Sequence, residues 1–219
     1  MKLGLVGWDV SSGLGQYNRD LAHFLGVTKW LVPQHPHYPA SQRPSFETCI
    51  RTSLEPDRET LRAFLDGLDW LIFAETPYIA ELPELASKFR VRIAMIPMLE
   101  AFEPRSPWVP LVDLMLPPTQ ECEAVLNSTK KEFGFKWRVV RVAGAVDTDR
   151  FVFRQRGVCE RFLFCNGHGG CAGRKGASCV ARAARLVPEI PILFHSQTNG
   201  LTQERRSQAS DRVARAALR

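Results

Sequence analysis

The sequence predicts an α/β protein: a Rossmann-like parallel sheet with helices on both faces, followed by a second, partial unit of the same kind. Three observations lead to this prediction. Short apolar runs, typical of buried strands, alternate with segments of helical periodicity. A glycine-rich turn at 11–16 joins the first strand to the first helix. A new strand, a long glycine-rich loop, a helix and a further strand follow from residue 162.

In the first half of the chain, strands and helices alternate from the first residues. Leu21, Phe24 and Leu25 lie at helical spacing before Gly26, a residue that often ends helices. A segment rich in proline and serine, 34–45, reads as a loop. The run WLIFAE at 70–75 is apolar enough to be buried on both faces. The predicted strands and helices in this half are strands 3–10, 28–33, 46–52, 70–75 and 91–98, and helices 15–26, 57–68 and 79–89.

In the second half, LVDLMLPP precedes a helix that ends at Gly134, and WRVVRVAG closes the first unit. The predicted elements in this half are strands 111–118, 137–144, 162–167 and 191–196, and helices 119–133 and 176–187. Because ligands bind at the carboxyl ends of strands in parallel sheets, we expect the binding rim in the segments that follow them. These segments are 10–16, 75–78, 98–104, 117–120 and 144–149.

Composition and charge narrow the function classes. A hydrophobic content of 45% with 24% charged residues is ordinary for a soluble globular chain. No apolar run approaches the roughly 20 residues of a membrane span, and six scattered cysteines without a secretory signal favour a cytoplasmic protein. The net charge is +6, and the arginine-rich tail 201–219 has no aromatic residue, so nucleic-acid binding is disfavoured. Contact with an anionic membrane surface stays open.

The turn SSGLGQ suits a ligand that approaches the backbone at a helix N-terminus. Gly13 and Gly15 allow a tight turn and close approach, with Leu14 and Gln16 beside them. A dinucleotide fingerprint is unsupported, because Asn18 stands where a third glycine would fall. A plain strand-to-helix turn is the alternative interpretation.

The loop GHGGCAGRKG, 167–176, combines five glycines with three basic side chains. Gly167, His168, Arg174 and Lys175 could hold a diphosphate through backbone amides and cations. The loop is not a P-loop, because Lys175 is followed by glycine and not by serine or threonine. The alternative is a surface loop with a solvated Arg–Lys pair.

A zinc site is the other chemistry that this region suggests, and the spacing disfavours it. The cysteines at 159, 165, 171 and 179 are separated by five, five and seven residues, unlike the paired spacing of structural zinc sites. Cys165 is expected to end a buried strand and Cys179 to lie within a helix, where cysteine packs as a small hydrophobe. His35 and His37 are interpreted as loop histidines. We therefore predict no metal.

Carboxylates on the predicted rim are the candidates for catalysis. Glu75 ends a buried strand, and Glu100 and Glu103 follow the next one. Such side chains could orient a hydroxyl or act as a general base. They could equally be solvated loop acids.

Four segments, in order, resemble retaining glycosyltransferases of family four, which have the GT-B fold. SSGLGQYNRDLAHFL is similar to the family's opening turn and helix, and VDLMLPPTQECEAVL to a later strand and helix. RVAGAVDTDRF, 141–151, is similar to the segment that ends the family's N-terminal domain. FLFCNGHGGCAGRKGASCVARAARLVP is similar to the start of the nucleotide-sugar domain. Together they span about residues 2–196.

This resemblance implies two domains with different binding functions along the chain. An acceptor-binding domain would occupy 1–151, a linker 152–159, and an incomplete nucleotide-sugar domain 160–219. Gly13 and Gly15 would lie by the reaction site, and Lys175 would contact the donor diphosphate. His168 replaces the family's arginine, and Arg174 could supply that charge. The donor is a nucleotide diphosphate sugar, the acceptor an unidentified sugar, lipid or small molecule, and no cofactor is implied.

The resemblance also implies that the second domain is truncated. The family's later glutamate pair, E-x7-E, has no counterpart after Ser196. We therefore expect this chain alone not to transfer sugar, and a partner to cover the incomplete domain. The alternatives are a non-catalytic acceptor-binding or partner module with the same fold, and a Rossmann-type nucleotide enzyme of another class. The sugar, the nucleotide base, the acceptor and the oligomeric state are not specified by the sequence.

Overall fold

A computed structural model of the chain describes residues 1–34, 48–144, 148–149, 151–155, 157–158, 161–165 and 176–195. The chain divides into two compact units, Met1–Val146 and Asp147–Arg219. The boundary expected from the sequence lay at residue 151, with a linker at 152–159. Those limits stay predictions.

Unit 1 is a seven-stranded, fully parallel sheet with helices between its strands. The predicted α/β, Rossmann-like fold class is confirmed. Its strands are β1 (Leu3–Val6), β2 (Lys29–Pro33), β3 (Cys49–Thr52), β4 (Trp70–Glu75), β5 (Arg92–Pro97), β6 (Leu114–Met115) and β7 (Arg138–Val139). Its α-helices are α1 (Gly13–Phe24), α2 (Arg58–Leu65), α3 (Leu82–Lys88) and α4 (Gln120–Phe133), with short 3-10 helices at Leu99–Ala101 and Val109–Leu111.

The strand order in the sheet is β3-β2-β1-β4-β5-β6-β7. The chain therefore builds outward from β1 in one direction, returns to pair β4 with β1, and then builds outward in the other direction. Leu5 pairs with Trp30 on one side and with Ile72 on the other. The order thus reverses between β1 and β4, and a sheet of this kind opens a crevice at the carboxyl ends of the two strands where it reverses.

Three predicted strands are shorter in the structure than expected. The first, expected at 3–10, ends at Val6, and side-chain hydrogen bonds to the Gly7 and Trp8 carbonyls, with an ion pair of Asp9, hold the loop beyond it. The strands expected at 111–118 and 137–144 are two residues long each, although the amides of Val140 and Val142 still donate to the carbonyls of Met115 and Pro117. A 3-10 helix precedes β6 and Pro117 and Pro118 follow it, which leaves few residues free to continue a ladder.

The sheet is covered on both faces. Alternate residues of each strand point to opposite sides, and each side contributes to its own hydrophobic core. Val6, Leu31 and Phe73 belong to one core, which contains buried side chains of α2, α3 and α4. Leu5, Trp30, Val32, Ile72 and Ile96 belong to the other core, which contains Ala22 of α1. A strand that is covered on both faces needs apolar residues without interruption, as the sequence predicts for β1 and β4, and both strands are buried.

Local signals set the ends of the helices. The side-chain oxygens of Ser12 and Thr119 accept hydrogen bonds from the amides of Gly15 and Cys122, three residues further on. α4 ends at Gly134, whose φ of 71° lies in the left-handed region that glycine tolerates. The predicted stop at Gly134 is confirmed.

Unit 2 contains two parallel strands and one helix in its described part. These are β8 (Phe162–Cys165), α5 (Ala177–Leu186) and β9 (Ile192–His195). The expectation that Cys165 ends a buried strand is wrong: Cys165, Phe162 and Leu163 are exposed, as is Cys179.

No helix in the described ranges has both the length and the apolar character that a membrane crossing requires.

Candidate functional site

The crevice expected from the strand order is bordered by the loop after β1 and the turn after β4. Trp8 from the first and Tyr78 from the second are in direct contact, with ring centroids 4.2 Å apart and planes inclined by 49°. The two segments meet as the topology requires, since β1 and β4 are neighbours. We call the residues 7–13 and 75–78 the β1/β4 rim.

The two glycines of the first turn have different surroundings. A side chain on Gly15 would place its Cβ 1.9 Å from the carbonyl oxygen of Val10, so glycine is required there for the turn to pack against α1. A Cβ on Gly13 would have nothing within 4 Å. Gly13 is exposed at the start of α1, and its surroundings leave space for a ligand.

Leu14 and Gln16, the other two residues predicted at this turn, lie in the first turn of α1 and are partly buried. The Gln16 amide donates to Asp20 Oδ1 at 2.6 Å.

The β1/β4 rim is held in place by the buried carboxylate of Asp9. Asp9 has 1% of its surface exposed, and its two oxygens accept from Arg19 Nε at 2.7 Å and Arg51 Nη2 at 2.8 Å. Arg19 on α1 is itself 8% exposed, whereas Arg51 on β3 is 41% exposed. A single loop residue therefore ties the turn after β1 to the helix α1 and to β3, the strand beyond β2.

Two further hydrogen bonds fix the backbone of the same loop. The amide of Asn18, on α1, donates to the Trp8 carbonyl at 2.9 Å, and the Trp30 indole donates to the Gly7 carbonyl at 3.2 Å. Both donors are buried. With the Asp9 ion pairs, they hold residues 7–9 in one conformation, which is the preorganisation that a binding loop needs.

Glu75, the predicted rim carboxylate, has a strained backbone. Its φ of 78° lies in the left-handed region, which costs a residue other than glycine about 1–3 kcal/mol. The amide of Thr76 donates to the carbonyl of Ala74 at 3.2 Å, so the chain makes a three-residue turn centred on Glu75. The turn directs the chain away from the sheet directly after β4.

The side chain of Glu75 is held by the rim aromatics. The Tyr78 hydroxyl donates to Glu75 Oε2, and the Trp8 indole hydrogen-bonds the same phenol. Burial raises the pKa of Tyr78 far above its ordinary value, and the hydrogen bond to Glu75 and the charge of that carboxylate raise it further. Tyr78 is therefore a neutral donor at physiological pH. Trp8, Tyr78 and Glu75 thus form a hydrogen-bonded row that links the loop after β1 to the turn after β4.

The structure does not bring Glu100 into this row. Glu100 lies in the 3-10 helix after β5, and it is exposed and makes no hydrogen bond or ion pair with another described residue. The predicted donor residues Gly167, His168, Arg174 and Lys175 lie outside the described residues, as do His35, His37, Cys159 and Cys171. Their predicted roles stay predictions.

The described ranges contain no group of three or more histidine, cysteine, aspartate or glutamate side chains that could hold a metal ion.

The sequence does not single out three residues of the β1/β4 rim, Trp8, Asp9 and Tyr78, or the two arginines that pair with Asp9, Arg19 and Arg51. One signal for them was present, since Asp9 is an acid directly after an apolar strand in a buried segment. An acid in that position requires a cationic partner. The sequence does not indicate that the partners are Arg19 and Arg51, because the second is 42 residues away.

Comparison with known proteins finds four solved chains that match, among them one with a similar fold over the chain. It is an α,α-trehalose-phosphate synthase (UDP-forming) from Burkholderia vietnamiensis, matched with a TM-score of 0.49 and 12% sequence identity. The match covers 99% of this chain and 68% of that one. No protein-family model matches the sequence, and no curated protein matches it.

Proposed function

We propose that the chain is a glycosyltransferase of the GT-B type, in which unit 1 binds the acceptor and unit 2 contributes to binding a nucleotide diphosphate sugar. The observation that carries the acceptor role is the β1/β4 rim: a strained glutamate and two aromatic residues stand where the strand order reverses. The glycosyl-transfer chemistry comes from the resemblance of the four sequence segments to retaining glycosyltransferases.

In this proposal, Glu75 acts at the acceptor. Its carboxylate accepts a hydrogen bond from an acceptor hydroxyl and orients that hydroxyl, and it can take the proton as the new glycosidic bond forms. Gly13, at the open start of α1, leaves room for the acceptor to approach the backbone. Glu100 remains a second candidate for contact with the substrate, at the end of the neighbouring strand β5.

The donor side depends on the loop 167–176. A departing nucleoside diphosphate develops negative charge, and cations placed against it lower the barrier. Lys175 would supply that charge, with Arg174 or His168 as a second group. The backbone amides of Gly167 and its neighbours would add hydrogen bonds.

A thermal-shift comparison tests the donor assignment. We expect UDP-glucose or GDP-mannose, at about tenfold above its Kd, to raise the Tm by roughly 3 °C, because a ligand at that excess contributes about 1.4 kcal/mol. NAD should leave the Tm unchanged. Lys175→Ala should abolish the shift and Arg174→Ala should reduce it. Glu132→Gln, an exposed carboxylate near the end of α4, is the control.

Each of the other outcomes would favour a different function or a different donor site. A shift with NAD alone would favour a nucleotide enzyme of another class. If neither nucleotide sugar shifts the Tm, the donor role of unit 2 is wrong, and the chain is better described as a non-catalytic acceptor-binding module. A shift that persists in Lys175→Ala would remove that lysine from the site.

A further inference from the structure

We infer that the β1/β4 rim takes an uncharged, hydroxyl-rich ligand, such as a free sugar or cyclitol, and that Tyr78 is the positioning residue for the Glu75 carboxylate that binds it. The inference rests on the proposed function and names the class of its acceptor. It distinguishes neutral polyols from phosphorylated or otherwise anionic ligands.

The first support is the backbone of Glu75. A glutamate with a φ of 78° is unfavourable, and glycine or asparagine would be better there. A residue keeps such an unfavourable backbone conformation only where the surrounding structure holds it, and residues of this kind cluster at ligand sites. Glu75 is the last residue of β4, and its carboxylate lies at the rim, beside the loop after β1.

The second support is the pattern of hydrogen bonds on that carboxylate. Tyr78 occupies Oε2, and among the described residues nothing donates to Oε1. An ionised carboxylate only accepts hydrogen bonds, and its two oxygens offer about four positions for donors. Glu75 is partly exposed, so the remaining positions are available to donors from a ligand. Hydroxyl groups are such donors, whereas a phosphate dianion is not.

The third support is the charge balance around the loop. The two arginines that reach the β1/β4 rim both pair with Asp9. With Glu75, the group holds two positive and two negative side chains. A neutral ligand leaves that balance unchanged. An anion would lie near the Glu75 carboxylate, and the described residues of this group offer no surplus of positive charge to offset it.

The role of Tyr78 follows from its contacts. Its hydroxyl is fixed between the Trp8 indole and Glu75 Oε2, and its ring packs against Trp8. Since Trp8 belongs to the anchored loop, Tyr78 transmits the rigidity of that loop to the carboxylate. It acts on the ligand through Glu75.

The experiment is an NMR titration of the full chain with four neutral polyols and their monophosphates: glucose and glucose 6-phosphate, mannose and mannose 6-phosphate, galactose and galactose 1-phosphate, myo-inositol and its 1-phosphate. We expect at least one neutral polyol to bind, and its phosphate to bind at least threefold more weakly. Glu75→Gln should raise the Kd for the neutral polyol by about tenfold or more, and Tyr78→Phe should raise it by about three- to tenfold. Glu132→Gln should bind like the unaltered protein.

The double variant separates positioning from a merely structural role. If Tyr78 acts through Glu75, Tyr78→Phe will cause no further loss in a protein that already carries Glu75→Gln, because the coupled effects do not add. Additive losses would contradict the positioning role. If Glu75→Gln did not fold, the comparison of neutral and phosphorylated ligands on the unaltered protein would decide the ligand class.

Tighter binding of a phosphate than of its neutral parent would overturn the inference, as would binding of no neutral polyol or full binding by Glu75→Gln. Together with the thermal-shift experiment, the titration allows this inference and the proposed function to be refuted separately. Polyol binding with no response to nucleotide sugars would refute the donor role alone. A response to nucleotide sugars with no polyol binding would refute this inference alone.

Discussion

Asp9→Asn is expected to lower the free energy of unfolding of unit 1 by about 3–5 kcal/mol, because it removes the charge that compensates a buried arginine. Arg19 is 8% exposed and bonds Asp9 at 2.7 Å, so the neutral amide takes the carboxylate charge away from a buried guanidinium. Urea denaturation followed by tryptophan fluorescence measures the loss. We also expect polyol binding to weaken, because the loop that carries Trp8 loses its anchor.

A matched control is Glu84→Gln on α3. Glu84 forms an exposed ion pair with Lys88 at 2.6 Å, and surface pairs contribute little to stability. The midpoint of its denaturation should be close to that of the unaltered protein. An Asp9→Asn protein that unfolds at the same urea concentration as this control would contradict the anchoring role of Asp9.

Gly15→Ala is expected to destabilise unit 1 by about 3 kcal/mol, at the upper end of the usual cost of overpacking. The new Cβ would lie 1.9 Å from the Val10 carbonyl oxygen and 2.8 Å from the Val10 nitrogen. Both are backbone atoms, so the turn and the start of α1 must move apart. Because that shift displaces the β1/β4 rim, ligand binding should fall as well.

Gly13→Ala is the comparison within the same turn. A Cβ there meets no atom within 4 Å, and alanine loses less conformational entropy on folding than glycine does. We expect Gly13→Ala to be as stable as the unaltered protein or more stable by up to about 1 kcal/mol. Differential scanning calorimetry of the two variants side by side checks the prediction. Equal Tm values for the two would contradict the packing role assigned to Gly15.

The elements that the sequence predicts best are those whose signals are local. WLIFAE forms β4 over the predicted residues, because a continuous apolar run of that length suits a strand covered on both faces. The stop at Gly134 is likewise local, since only the left-handed conformation of one residue is involved. The ends of β6 and β7 are set by neighbouring strands and prolines, and pairing partners are not visible in a single segment.

The candidate site is predictable to a smaller degree. Glu75 was identified by its position after β4, but its positive φ and its bond to Tyr78 come from the turn that follows the strand. The pairing of Asp9 with Arg51 joins two segments that become neighbours only when β2 pairs with β3. The motif predicts ligand approach at Gly15, and it gives no sign that a Cβ there would meet the backbone of Val10.

The central claim is that the acceptor binds at the β1/β4 rim of unit 1 and the donor in unit 2. Hydrogen–deuterium exchange on the full chain tests it most directly, with the bound polyol and the bound nucleotide sugar added separately. We predict that the polyol slows exchange in peptides covering 7–16 and 75–81, and that the nucleotide sugar slows exchange in peptides from 161–195. Protection of the same peptides by both ligands, or a polyol that leaves the β1/β4 rim unchanged, would contradict the claim.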